Sequence, residues 1–158
     1  MNTKSERMKE FSNINEILNF AIEEEQKAME FYVLLAAKVT NEDMKLAFEE
    51  FAQEELGHKS KLLNIKETGI LNSESEEITD LKIADYSVNI AFHEGMTYQD
   101  ALVLAMNKEK AAFKLYTTLA KRVSDEQLKK LFLNLAIEES KHKLRFELEY
   151  DEFVLREN

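Results

Sequence analysis

The sequence predicts an all-α fold: a four-helix bundle made of two helical hairpins joined by a long crossover connection. Three observations predict it. The 158 residues contain no proline and only three glycines, and the strong helix formers Ala, Leu, Glu, Lys and Met dominate the composition. Sliding the chain against itself by 84 residues aligns 14–63 with 98–147, with about 16 identities in those 50 positions, so one half is written twice. The identities also fall at helical spacing. Leu18, Ala21, Glu25, Ala28, Tyr32, Leu35 and Val39 recur as Leu102, Ala105, Glu109, Ala112, Tyr116, Leu119 and Val123. Their alternating steps of three and four residues mark the stripe of a helix packed lengthwise on its neighbours at a shallow crossing angle.

In chain order, the first helix is expected over 14–39, opened by Asn13 as its N-cap. After a break at Thr40–Asn41 the second spans 42–67, with Met44, Phe48, Phe51, Glu55, His58 and Leu62 on its inner seam. A connection of about 29 residues follows over 68–96, opened by Gly69 and rich in Ser, Asn and Glu at its start. It is too long for a tight turn and long enough to run the bundle's height, so helices two and three are expected to be parallel. Its apolar pieces, Leu81, Ile83 and Tyr86, are expected to pack as a short helix. The third helix is expected over 98–122, where Thr97 with Asp100 resembles a capping box. A break at Val123–Ser124 leads to the fourth, over 125–149, whose seam reads Leu128, Phe132, Leu135, Glu139, His142 and Phe146. The hairpins thus occupy about 14–67 and 98–149, and residues 1–158 are expected to form a single domain.

The formal net charge of -10 argues against a nucleic-acid partner, which needs a concentrated excess of Lys and Arg. The opening stretch MNTKSERMKEF has no apolar h-region, and no segment approaches the roughly 18 apolar residues of a membrane span. The expected location is therefore the cytoplasm, with no membrane partner. The absence of cysteine removes disulfides, thiol catalysis and iron–sulfur clusters, so any metal must be held by oxygen and nitrogen.

The seams carry ionisable residues where a core should be apolar. A buried charge costs several kcal/mol unless it is paired, coordinated or neutralised. Glu25 and Glu109 stand at the centres of their stripes. Glu55 with His58, and Glu139 with His142, lie three residues apart and so project from one helix face. Two helices each giving one Glu and two each giving Glu-x-x-His make up the ligand set of carboxylate-bridged di-iron and di-manganese bundles. The charge closes: four glutamates carry about -4, neutral imidazoles nothing, and two divalent cations +4. The expected metal ligands are Glu25, Glu55, His58, Glu109, Glu139 and His142. Two iron ions are the expected cofactor, with manganese as a variant, since such donors suit both.

Tyr32 and Tyr116 each follow a ligand glutamate by seven residues, two turns along the same face. They are core tyrosines whose phenols can also steady a ligated carboxylate. Ala28, Ala112, Phe51 and Phe132 are expected to leave a small apolar pocket. Glu54 and Glu138 repeat one residue off the seam and read as solvated flank charges, and His93 reads as a surface residue. Gly57 costs a helix about 1 kcal/mol, and the sequence offers no account of it.

The segments EQKAMEFY (25–32), FAQEELGH (51–58), EKAAFKLY (109–116) and LAIEESKH (135–142) resemble those of the rubrerythrin family, within the ferritin-like superfamily. The resemblance covers about residues 14–149. It implies a ferritin-like bundle, and the family's six shared ligands fall on the same six residues reached from spacing. It also implies a di-iron oxidoreductase of peroxidase type, with hydrogen peroxide or oxygen as oxidant. Two departures stand out. Rubrerythrins carry an extra glutamate where this chain has Ala112, and they append a four-cysteine rubredoxin-type domain, whereas this chain has no cysteine. The expected electron source is therefore an external donor protein. A homodimer is the expected assembly, and a ferroxidase-type iron-storage role is the alternative to peroxide reduction.

Overall fold

The computed structural model describes residues 10–71, 80–88 and 90–157. Residues 72–79, the Ser-, Asn- and Glu-rich start of the connection, lie outside the described residues. Four long helices run in the order α1 (Ile14–Lys38), α2 (Glu42–Thr68), α3 (Tyr98–Arg122) and α4 (Glu126–Glu157). Among the described residues the β content is one isolated bridge, Glu10 to Lys82. No helix among them is long and apolar enough to cross a membrane. α1 with α2 and α3 with α4 belong to two compact units.

In the first hairpin, the Asn13 side chain accepts from the Glu16 N–H at 2.9 Å, satisfying one orphan donor of α1. Phe11 meets Phe20 edge-on at 5.4 Å just before and inside the first turns. Val39 leaves the helix in an extended conformation, and Asn41 caps α2 through the Met44 N–H. α2 ends where Gly69 turns left-handed at φ 68°, its N–H bonding the Ile65 carbonyl. A side chain with a Cβ would be strained there, which explains glycine at the start of the connection. The helices bury Leu18, Ala21, Tyr32 and Leu35 with Phe48, Ala52 and Leu62, each large apolar chain contributing about 1.5–3 kcal/mol on leaving water. Outside this core, Lys59 donates to Gln26 and Lys66 to Asn19 across the pair.

In the second hairpin, Thr97 accepts from the Asp100 N–H at 3.0 Å, and Asp125 caps α4 by accepting from the Leu128 N–H at 2.9 Å. The expected short helix of the connection is a 3-10 turn over Ile83–Tyr86. Leu81 and Tyr86 are buried there and Ile83 is half-buried. Lys114 of α3 sits over the Tyr86 ring, and Arg122 holds Asp80 at 2.6 Å.

Three helices match their expected spans to within a residue, but α4 runs to Glu157, well past the expected 149. Nothing in 150–157 breaks a helix, and Phe153 extends the inner seam to meet the Tyr98 ring edge-on at 5.2 Å. The internal repeat could not reveal that extension, because α2 itself stops at Thr68, the position equivalent to Glu152.

Candidate metal-binding residues

The spacing that gives each helix its inner seam carries six ionisable groups into the interior along with the apolar chains. Glu25 is 2% exposed, Glu55, His58, Glu109 and Glu139 are each 1% exposed, and His142 is 2% exposed. All six sequence-predicted ligands therefore face the core.

In the first hairpin, α1 supplies Glu25 and α2 supplies Glu55 and His58 from one face. His58 Nδ1 lies 3.4 Å from a Glu25 oxygen and 3.6 Å from a Glu55 oxygen, and one donor atom from each of the three lies within 4.8 Å of the others. The second hairpin repeats the arrangement. His142 Nδ1 lies 3.6 Å from a Glu109 oxygen, and Glu109, Glu139 and His142 also bring one donor atom each within 4.8 Å of the others. These separations exceed a good N–H···O hydrogen bond. They are the spacing of two donors that share one ion with bonds of about 2.1 Å. Each trio combines two carboxylates with one imidazole and can hold a metal ion of the kind that accepts oxygen and nitrogen ligands.

Tyr32 and Tyr116 are fully buried. Each ring stacks on a phenylalanine of its partner helix at 6.4 Å, Tyr32 on Phe48 and Tyr116 on Phe132, and Tyr32 also meets Phe51 edge-on. Within each hairpin, this pair anchors the seam beyond the ionisable trio. Ala28 and Phe132 are buried, while Ala112 and Phe51 are half-buried. Glu54 and Glu138 are half-buried rather than fully solvated: a residue one step off a seam turns only about 100° away and stays partly shaded by the neighbouring helix. His93 is exposed, as expected.

Sequence reasoning missed Glu149. It is 5% exposed, accepts from the Tyr98 hydroxyl at 3.3 Å and pairs with Arg156 at 3.2 Å. Burial, then the neighbouring Glu149 carboxylate, pushes the Tyr98 phenol well above its ordinary range. The signal was present, since Glu149 continues the α4 seam three residues after Phe146. It lacked a carboxylate or histidine counterpart in the first half, where the equivalent position is Ile65.

A family model described as Rubrerythrin matches residues 16–150. Among solved structures, the chain is similar to a hypothetical protein from Pyrococcus furiosus, with 28% identity, a TM-score of 0.68, and coverage of 85% of this chain and 86% of that one. No curated protein matches the chain at a significant level.

Proposed function

The chain belongs to the rubrerythrin family, whose fold is the all-α ferritin-like bundle, and from that premise we propose that it is a non-haem di-iron oxidoreductase that reduces hydrogen peroxide. The observation that supports this most directly is the charge of the two buried trios. With both carboxylates ionised and the imidazole neutral, each trio carries about -2, which one divalent cation balances in a low-dielectric interior. Two trios thus suit two ions.

In this reading Glu25, Glu55, Glu109 and Glu139 hold the ions through oxygen, and His58 and His142 each contribute one nitrogen, which must be unprotonated to bind. When bound, two ferrous ions supply the two electrons that cleavage of a peroxide O–O bond consumes. The protein's part is to hold the donors rigidly and to keep water away from them. Tyr32 and Tyr116 act as positioning residues, their phenols steadying the carboxylates from two turns along α1 and α3. In this reading electrons come from an external donor protein. Ala112 stands where the family's additional glutamate would be, and we expect turnover to be slower for lack of that ligand.

Anaerobic loading followed by stopped flow tests the proposal. The protein should take two irons per chain and no more, and the diferrous form should be oxidised far faster by hydrogen peroxide than by oxygen, with continued turnover only when a reductant is present. Oxygen reacting as fast as peroxide, together with uptake well beyond two irons, would replace the enzyme with a storage protein. Stable loading with manganese but not iron would replace the metal.

A further inference from the structure

On the outer side of the second hairpin, α3 and α4 leave a groove of about 330 Å³, lined by Lys110, Phe113, Ser140, Lys143, Leu144 and Glu147. It is large enough for a small molecule. Phe113 and Leu144, 41% and 55% exposed, give it apolar walls. Its polar groups are few. Lys143 reaches along its own helix to Glu147 at 2.7 Å, and Lys110 makes no hydrogen bond or ion pair among the described residues. The Ser140 hydroxyl donates to the Ile137 carbonyl at 2.6 Å.

The first hairpin shows the same place with a different set of polar groups. The equivalent residues are Gln26, Met29, Leu56, Lys59, Ser60 and Leu63. Apolar walls are common to both hairpins, since Leu56 and Leu63 are themselves 38% and 36% exposed, so they do not set the second apart. The charges do. Lys59 donates across the pair to Gln26 at 2.9 Å, closing the space between α1 and α2. In the second hairpin Lys110 replaces that glutamine, and a lysine has donors but no acceptor, so Lys143 has nothing to bridge to. Two ammonium groups border one groove, and Glu147 balances only one of them.

We propose that this groove binds a small monoanionic carboxylate with an apolar body, of the medium-chain fatty acid type. The head group follows from the donors. The Ser140 proton is already committed, so only lysine N–H groups are left to donate, and they match a group that only accepts, as an ionised carboxylate does. One unbalanced positive charge suits one negative charge, whereas the doubly charged head of a phosphate monoester would leave an excess beside Glu147. The body follows from Phe113 and Leu144, and its length from the two turns between Ser140 and Glu147, roughly 10 Å. Because the groove is open, the affinity is modest, on the order of 1 mM for octanoate. The proposal does not depend on the peroxidase reading.

Titration calorimetry of the full, metal-loaded chain tests it. Octanoate should bind. Acetate, which has the head without the body, and octylamine, whose head has the opposite charge, should give no saturable heat at the same concentrations. Lys110→Gln recreates the Gln26–Lys59 pairing of the first hairpin and should weaken octanoate roughly fivefold or more, and Leu144→Ser, which copies Ser60, should weaken it as well. Both variants should keep the helical circular dichroism, and Lys121→Gln, a change elsewhere on α3, should bind like the wild type. No saturable binding to the wild type, unchanged affinity in both groove variants, or an equal loss in Lys121→Gln would overturn the proposal. Displacement of octanoate by equimolar tetraglutamate would instead assign the groove to an acidic protein surface. Octanoate binding only as an oligomer dissociates in sedimentation would assign it to another copy of the chain, and either result would also overturn the proposal.

Discussion

At their inner seams α2 and α4 are nearly the same helix: Phe48 and Phe132, Ala52 and Ala136, Glu55 and Glu139, His58 and His142 occupy equivalent places and are all buried. Away from that seam they diverge: the α2 residue Gly57 becomes Lys141 and Ser60 becomes the exposed Leu144. Toward the seam's end they also part, where the buried Ile65 becomes Glu149, which is tied to Tyr98 and Arg156. α2 stops at a left-handed glycine, while α4 continues to Glu157. The difference shows which positions the packing dictates. A residue that must fill a shared interior, or that carries a charge there, is specified by its neighbours. One that faces outward is specified only by what it meets outside the hairpin.

If the two trios are equivalent, damage to either should be equally severe, and this is the largest effect expected. Glu55→Ala and Glu139→Ala should each lower iron content to a comparable degree by elemental analysis of anaerobically loaded protein, whereas Glu54→Ala should load normally. Retention of both irons by one of the two buried variants would break the equivalence. Loss of metal in Glu54→Ala would place the α2 seam one residue out of register.

The same logic explains what could be read before the structure. The helix spans, the caps at Asn13 and Thr97, and the burial of all six ionisable groups were legible because each rests on local periodicity doubled by the repeat. A seam glutamate such as Glu25 is informative when Glu109 stands in the same place 84 residues later. Glu149 obeyed the same periodicity but faced Ile65 across the repeat, and the repeat marks neither of its partners: Tyr98, the first residue of α3, has the apolar Ile14 as its counterpart, and Arg156 lies in a segment with no aligned counterpart. Both the length of α4 and the Tyr98–Glu149–Arg156 cluster depend on that unaligned segment. The connection was legible only at Gly69 and at the apolar residues Leu81 and Tyr86, where steric or hydrophobic demands are strong.

Gly57 sharpens the comparison at an intermediate scale. Its equivalent on α4 is Lys141, a good helix former, and a Cβ built on Gly57 would meet nothing within 4 Å. No neighbour within the described residues requires glycine there, so only its backbone entropy counts. Gly57→Ala should therefore stabilise the protein by roughly 0.5–1 kcal/mol, seen as a higher urea midpoint with an unchanged slope. A loss of stability would mean that α2 is approached closely at that turn by something the packing of the chain does not reveal.

The smallest expected effect separates the hairpins by pH. In the second hairpin Tyr98 is a half-buried phenol donating to Glu149, whereas its equivalent in the first is Ile14, which cannot titrate. Burial and the adjacent carboxylate favour the neutral phenol in the folded chain, raising its ionisation above the ordinary value of 10.0. Below pH 10 the phenol is neutral whether the chain is folded or not, and its contribution to stability is fully present. Above pH 10 the unfolded chain loses this proton while the folded chain keeps it, so stability falls as pH rises. The urea midpoint should therefore decline as pH rises above about 10, and the decline should be shallower in Tyr98→Phe, the difference between the two curves isolating this residue from the other tyrosines. Tyr98→Phe also removes a donor from the buried Glu149, leaving Arg156 to hold it, so a modest loss at neutral pH should accompany the flatter alkaline limb. Parallel curves for the two proteins would mean that the phenol ionises as freely folded as unfolded, and that Arg156 rather than Tyr98 is what holds Glu149 in the interior.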